Sequence, residues 1–159
     1  CDWSSDVCSS DLAPEAQLHV YSGILRRALN SGTVDAAVKP VFEEAQAAQS
    51  DGVHIRRPQA DPDMAAAYAS ARAHLYPVIA REMYASTLAE SQAAGLPAVI
   101  RATGGASAQL LERIKNGVTG YFAPDDDAFV NRAVALLAPD GAVYRNLARE
   151  ARSHQRSRG

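Results

Sequence analysis

Residues 75–101 decide the fold: Leu75-Tyr76-Pro77-Val78, a helical stretch from Ser86 to Ala94, the turn Gly95-Leu96-Pro97, and Ala98-Val99-Ile100-Arg101. Each quartet is a short β-type run. The stretch between them ends as helices end, with Gly just past the last turn and Pro two residues further. Two parallel strands need a helical crossover of this kind. The same alternation runs outward in both directions. Upstream, Leu18 to Gly23 predicts a strand closed by Ser-Gly. Asp35 to Gln49 predicts an amphipathic helix on Val38, Val41, Phe42 and Ala45, and Gly52 to Arg56 a strand ended by Arg57-Pro58. A helix from Asp61 to about Ala73 follows, with acids in its first turn. Downstream, Ser107 to Asn116 predicts a helix closed by Gly117, and Gly120-Tyr121-Phe122 a last strand. Two helices close the chain, Asp125 to Leu137 and Gly141 to about His154. Five strands alternating with helices predict one α/β domain, a parallel sheet covered on both faces.

Composition narrows the function classes. The chain has 159 residues, 47% of them hydrophobic and 21% charged, the profile of ordinary globular protein. No apolar run approaches the roughly 20 residues of a bilayer-spanning helix. A net charge of −2 gives no general attraction to nucleic acid or to acidic membranes. Alanine occurs 32 times, and arginine outnumbers lysine 14 to 2, the usage of a GC-rich bacterial genome.

The first twelve residues, Cys1 to Leu12, resemble one reading frame of a DNA-sequencing library adapter. They are expected to be an artefactual, disordered tail joined to a truncated reading frame, leaving residues 13–159 as the domain. The alternative is a genuine Ser/Asp-rich tail. Both cysteines (Cys1 and Cys8) and Trp3 fall in this segment, as do three acids. The remainder has 16 basic against 15 acidic side chains and no thiol, which removes disulfides, thiolate metal sites and cysteine nucleophiles.

In open parallel sheets ligands sit outside the carboxyl ends of the strands, where helix N-termini offer unpaired N–H groups to anions. The junction at residues 79–88 therefore carries the candidate chemistry. Glu82 belongs in the loop after its strand and Glu90 on the following helix, with Ser86 or Thr87 as N-cap. Two carboxylates would then flank the N–H groups of residues 84–88. Carboxylates accept hydrogen bonds from sugar hydroxyls, and the N–H groups suit a diphosphate. On spacing alone, two solvated surface acids are the better explanation of the pair.

Sequence context favours the functional reading. Tyr76-Pro77, then Glu82-Met83-Tyr84-Ala85-Ser86-Thr87-Leu88-Ala89-Glu90, running into Ala94-Gly95-Leu96-Pro97, resembles the C-terminal signature of retaining GT-B glycosyltransferases of the family 4, or group 1, type. That signature is a Glu-x7-Glu motif followed by an Ala-x-Gly-x-Pro turn. Gly104-Gly105, then Glu112 to Phe122, then the Asp-rich turn at 125–127 follow in the family's order. The resemblance implies an α/β fold with a Rossmann-like parallel sheet and helices on both faces. This would be the C-terminal half of a GT-B fold, truncated on its N-terminal side. It also implies a cytoplasmic, nucleotide-sugar-dependent enzyme that transfers a hexosyl group to an acceptor. Glu82 would be the catalytic residue, contacting hydroxyls of the donor sugar, and Glu90 would hold the nucleotide ribose. Main-chain N–H groups of Tyr84, Ala85, Ser86 and Thr87 would approach the sugar and the diphosphate. The nucleotide sugar is a co-substrate, and no cofactor, metal or nucleic acid is implied. Met83 and Ala85 stand where the family often has glycine. The family's N-terminal domain and its diphosphate-binding Arg and Lys are expected to lie outside this chain, so it is expected to bind donor and to be inactive alone. The alternatives are a non-catalytic nucleotide-binding α/β module and an assembly fragment with no independent function.

Other residues rank lower. His19, His54, His74 and His154 are too dispersed for a local zinc motif. Ser107 makes no hydrolase elbow, and Gly104-Gly105 is no dinucleotide fingerprint. Arg145, Arg149, Arg152 and Arg156 form a stripe on one helix face, read as solvated or salt-bridged against a lipid or partner contact. Arg56-Arg57-Pro58 stands at a strand end, and a place near a nucleobase is the less favoured reading of it.

Overall fold

A computed structural model describes residues 16–77, 85–102, 107–138 and 141–157. The tail at 1–12, the carboxylate Glu82, Tyr84 and the Gly104-Gly105 pair lie outside the described residues. The described chain divides into two compact units, one within Pro14–Met64 and one within Ala65–Gly159.

In the first unit, β1 (Leu18–Tyr21) and β2 (Val53–Arg56) form a parallel pair, with Leu18 opposite Val53 and Tyr21 opposite Arg56. Between them run α1 (Gly23–Ser31) and α2 (Lys39–Ala47), followed by a 3₁₀ turn at Ala48–Asp51. The sequence reading has no counterpart of α1. Ser22-Gly23 does not merely close β1: the Ser22 hydroxyl accepts a hydrogen bond from the Leu25 N–H at 3.3 Å and caps the new helix. Gly32 ends α1 in the left-handed conformation that suits glycine. The expected helix at 35–49 starts only at Lys39, with Pro40 in its first turn, where a missing N–H costs nothing. Leu25, Ala28, Phe42 and Ile55 form this unit's core.

In the second unit, β3 (His74–Pro77), β4 (Ala98–Arg101) and β5 (Gly120–Ala123) are all parallel, in the order β3-β4-β5. Thus all five expected strands are present and parallel, but they separate into a pair and a triplet. Each sheet has its own helices and its own core, which the alternation of elements along the chain does not reveal. The strand leading toward Glu82, β3, is an outer strand of this sheet among the described residues. The centre is β4.

Ala98, Val99 and Ile100 are fully buried, so β4 is covered on both faces. Successive side chains point to opposite sides of a strand. Ala98 and Ile100 pack with Leu88 of α4 (Ser86–Ala93), Leu110 of α5 (Ala108–Arg113) and Ile114. Val99 packs the other way, with Ala123, Leu136 of α6 (Asp126–Leu137) and Leu147 of α7 (Ala142–Arg156). Helices therefore flank this sheet on both faces, as predicted. The remaining helix, α3 (Asp61–Ser70), precedes β3.

Much of the 92–122 signature is architectural. The buried Gln92 amide donates to the Leu96 carbonyl at 2.8 Å and holds the Gly95 turn. The Asn116 side chain accepts from the Phe122 N–H, and the Thr119 hydroxyl accepts from the Lys115 N–H, each at 2.9 Å. The Asp-rich turn also works locally. Asp125 caps α6 through the Ala128 N–H at 2.8 Å, and Asp126 pairs with Arg101.

Gly120 opens β5 opposite Ala98, and a Cβ built on it falls 2.4 Å from the Ala98 carbonyl oxygen. That neighbour is rigid backbone in the central strand, so β5 can pair closely only without a side chain here. Gly120→Ala is expected to destabilise the protein by about 2–3 kcal/mol, the upper part of the overpacking range. Urea denaturation, read at unchanged slope, measures it.

Candidate functional site

Helix α4 carries the residues that the sequence singles out. Its N-cap is Ala85, not Ser86 or Thr87, and makes no side-chain capping bond. Ser86 opens the helix instead. Ala85 has φ 38° and ψ 46° and is the only non-glycine residue with positive φ among the described residues. The left-handed region costs an L-residue roughly 1–2 kcal/mol, which explains why a glycine would be at home here. The Ala85 methyl nevertheless lies in the core with Leu88, Ile100 and Leu110. It fills apolar space instead of crowding the mouth of the helix.

The Ala85 carbonyl accepts from both the Leu88 and the Ala89 N–H groups, at 3.1 and 3.2 Å. Ser86 and Thr87, as the first two helical residues, have no acceptor within α4, the general condition of a helix start. Both are exposed. Glu90 follows at i+4 from Ser86 and i+3 from Thr87, which places all three on one helix face, about one turn apart. Glu90 is also exposed, and the Tyr68 hydroxyl of α3 donates to its Oε2 at 3.5 Å. The structure thus brings together Ser86, Thr87 and Glu90. It adds Tyr68, to which the sequence reading assigned no role; no spacing rule links it to Glu90.

Next to this face His74 is largely buried. Its Nδ1 lies 2.8 Å from the Ser91 hydroxyl, and that hydroxyl donates to the Leu88 carbonyl at 3.0 Å. With its own proton committed, the Ser91 oxygen accepts, so His74 Nδ1 carries the hydrogen. The ring also meets Tyr76 edge-on at 5.5 Å and lies 5.8 Å from Tyr68. Burial pushes the His74 pKa down to about 4. This is a structural histidine, buried against Ser91, Tyr68 and Tyr76.

At the carboxyl end of β4, Arg101 forms an ion pair with Asp126, and its Nη2 donates to Asp126 Oδ2 at 3.3 Å. The pair ties the sheet's carboxyl edge to the start of α6. The arginine stripe of α7 does not act as one surface. Arg152 donates to the Ala94 carbonyl at 2.9 Å and closes the end of α4, while Arg149 meets Glu150. The four histidines do not converge. His19 and His54 face one another across β1 and β2 with rings 5.2 Å apart, whereas His154 reaches the Glu112 carbonyl.

Residues 15–139 match the family model described as "Glycosyl transferases group 1". No curated protein sequence matches the chain. No helix among the described residues is long and apolar enough to cross a membrane.

Above pH 6.5 His74 is neutral whether the chain is folded or not. Between pH 6.5 and about 4 the unfolded chain takes up a proton that the folded state refuses, so stability falls as pH drops and levels off below that window. Its share is about 3 kcal/mol. His74→Asn is expected to remove this pH dependence, so the variant's stability relative to the wild type should rise by about 3 kcal/mol as pH falls from 7 toward about 4 in denaturation curves.

Proposed function

The chain belongs to the glycosyl transferases group 1 family, and from that premise we propose that it forms the donor side of a retaining glycosyltransferase using a nucleoside-diphosphate sugar. The observation that carries this reading is the exposed face of α4, on which Ser86 and Thr87 at the helix start and Glu90 one turn on lie together.

On this reading the first N–H groups of α4 and its dipole attract the donor's diphosphate. Glu90, one turn on, accepts from the ribose hydroxyls, and Tyr68 orients its carboxylate from the other side. Glu82, assigned by motif, accepts from hydroxyls of the donor sugar. Transfer breaks the bond between the anomeric carbon and the diphosphate oxygen, and the electron pair leaves with the nucleotide. An acceptor oxygen bonds to that carbon on the same face, and its proton passes to the departing diphosphate oxygen. Cations lower the barrier by neutralising the departing diphosphate. An acceptor-binding GT-B domain and an Arg–Lys pair are proposed as partners of these residues in the complete enzyme. A cytoplasmic enzyme, with peripheral membrane contact if its acceptor is a lipid, is consistent with such a donor.

Calorimetric titration of the chain with a panel of nucleoside diphosphates tests the assignment. Glu90→Ala is expected to weaken the preferred ligand about tenfold to a hundredfold, the worth of a hydrogen bond to a charged group. Equal affinity in the variant rejects Glu90 as the ribose ligand. The chain alone is expected to bind donor without transferring sugar, and robust transfer by it would refute that division of labour.

A further inference from the structure

The unit Pro14–Met64 contains an open cavity of about 550 Å³ lined by Gly23, Arg26, Arg27, Asn30, Ser31 and Arg57. Five of these come from α1 at spacings of three, one, three and one, which is one face of a helix. The other face holds Leu25 and Ala28, both buried in this unit's core. Burying that apolar stripe obliges the arginine face to look outward. The sixth residue arrives from β2. Pro58 packs beside Gly23, 3.7 Å from the position a Cβ would take, so the chain leaving β2 lies against the start of α1 and brings Arg57 to the same cavity. Arg26 is half-buried and extends its Nη1 to within 3.5 Å of the Ile55 carbonyl.

Three guanidinium groups and no carboxylate line this space. The ion pairs among the described residues are Lys39 with Glu43, Arg101 with Asp126 and Arg149 with Glu150, and none of these residues lines this cavity. Arg27 and Arg57 have no ion pair among the described residues. Nor is the concentration a sample of a generally basic surface, because acids outnumber bases seven to five across residues 14–64. Like charges gathered around one cavity repel one another. An anion seated among them removes that repulsion as well as adding its own attraction.

We propose that this cavity is a binding site for a phosphate-bearing anion of two or more negative charges. Guanidinium forks match phosphate oxygens bidentately. The Asn30 amide and the Ser31 hydroxyl add neutral donors. The volume falls within the range of small-molecule sites, about 300–1,000 Å³, and exceeds what a single phosphate needs. The lining residues all lie within residues 23–57. Its ligand is either a free diphosphate compound or the phosphorylated headgroup of a lipid.

Two arms of one experiment distinguish these sources. In the first, the full chain is titrated with inorganic pyrophosphate and followed by calorimetry. In the second, it is sedimented with vesicles of phosphatidate in phosphatidylcholine, against phosphatidylcholine alone. The paired variant Arg27→Gln with Arg57→Gln changes two exposed side chains, and circular dichroism checks that it folds. Binding in either arm is expected to weaken at least about tenfold in the variant, as for lost charge-assisted hydrogen bonds, and the arm that responds identifies the source. Absence of binding in both arms, or binding undiminished in the folded variant, overturns the proposal.

Discussion

The second unit depends on the double burial of β4. Ala98, Val99 and Ile100 have no solvent exposure, and their side chains alternate between two cores. A strand in that position must satisfy its backbone through both neighbours, because no water reaches it. It does so by pairing with β3 on one side and β5 on the other. The β5 side works because Gly120 lets the chain pass the Ala98 carbonyl without a side chain between them. Both cores hang on this strand, so the helices that surround it take their places from its alternation. The Arg101–Asp126 pair then fastens its carboxyl end to α6.

Charge is divided unevenly over the molecule, and the division follows the helices. On α4 the carboxylate of Glu90 stands one turn from a helix start, an arrangement suited to a ligand with both hydroxyls and phosphates. On α1 the outward face carries two arginines, joined by Arg57 from the loop after β2. By contrast, the α7 arginines that look most conspicuous as a linear stripe are partly consumed in structural bonds, such as Arg152 at the end of α4. What separates the candidate site from the other cations is that three guanidinium groups line one cavity with no carboxylate among its lining residues.

Several readings were legible because local chemistry enforces them. The Gly95 and Pro97 stop, the apolar quartet at 98–101 and the capping Asp125 each act over a few residues, and each element appears where its signal lies. The missed helix α1 shows the limit of such signals. Ser22-Gly23 reads equally well as a turn or as a cap, and only the packing of Leu25 and Ala28 against Phe42 and Ile55 selects the cap. Helix α5 is shorter than its apolar pattern suggests, because Ile114 leaves the helix in an extended conformation and is buried with Leu110.

The amino-acid sequence by itself determined the α/β class, the five parallel strands, the family and the placement of Glu90 on the helix after β3. All of these follow from periodicity, end signals and motif order, which act along the chain. Tertiary structure alone decided that the strands divide into a pair and a triplet, and that β4 rather than β3 is the central strand of the triplet. It also decided that Ala85 turns its methyl into the core and that Tyr68 reaches Glu90. The meeting of Arg26, Arg27 and Arg57 around one cavity belongs with these. Each depends on contacts between residues distant in sequence, whose free energy comes from burying shared apolar surface and is invisible to any local pattern.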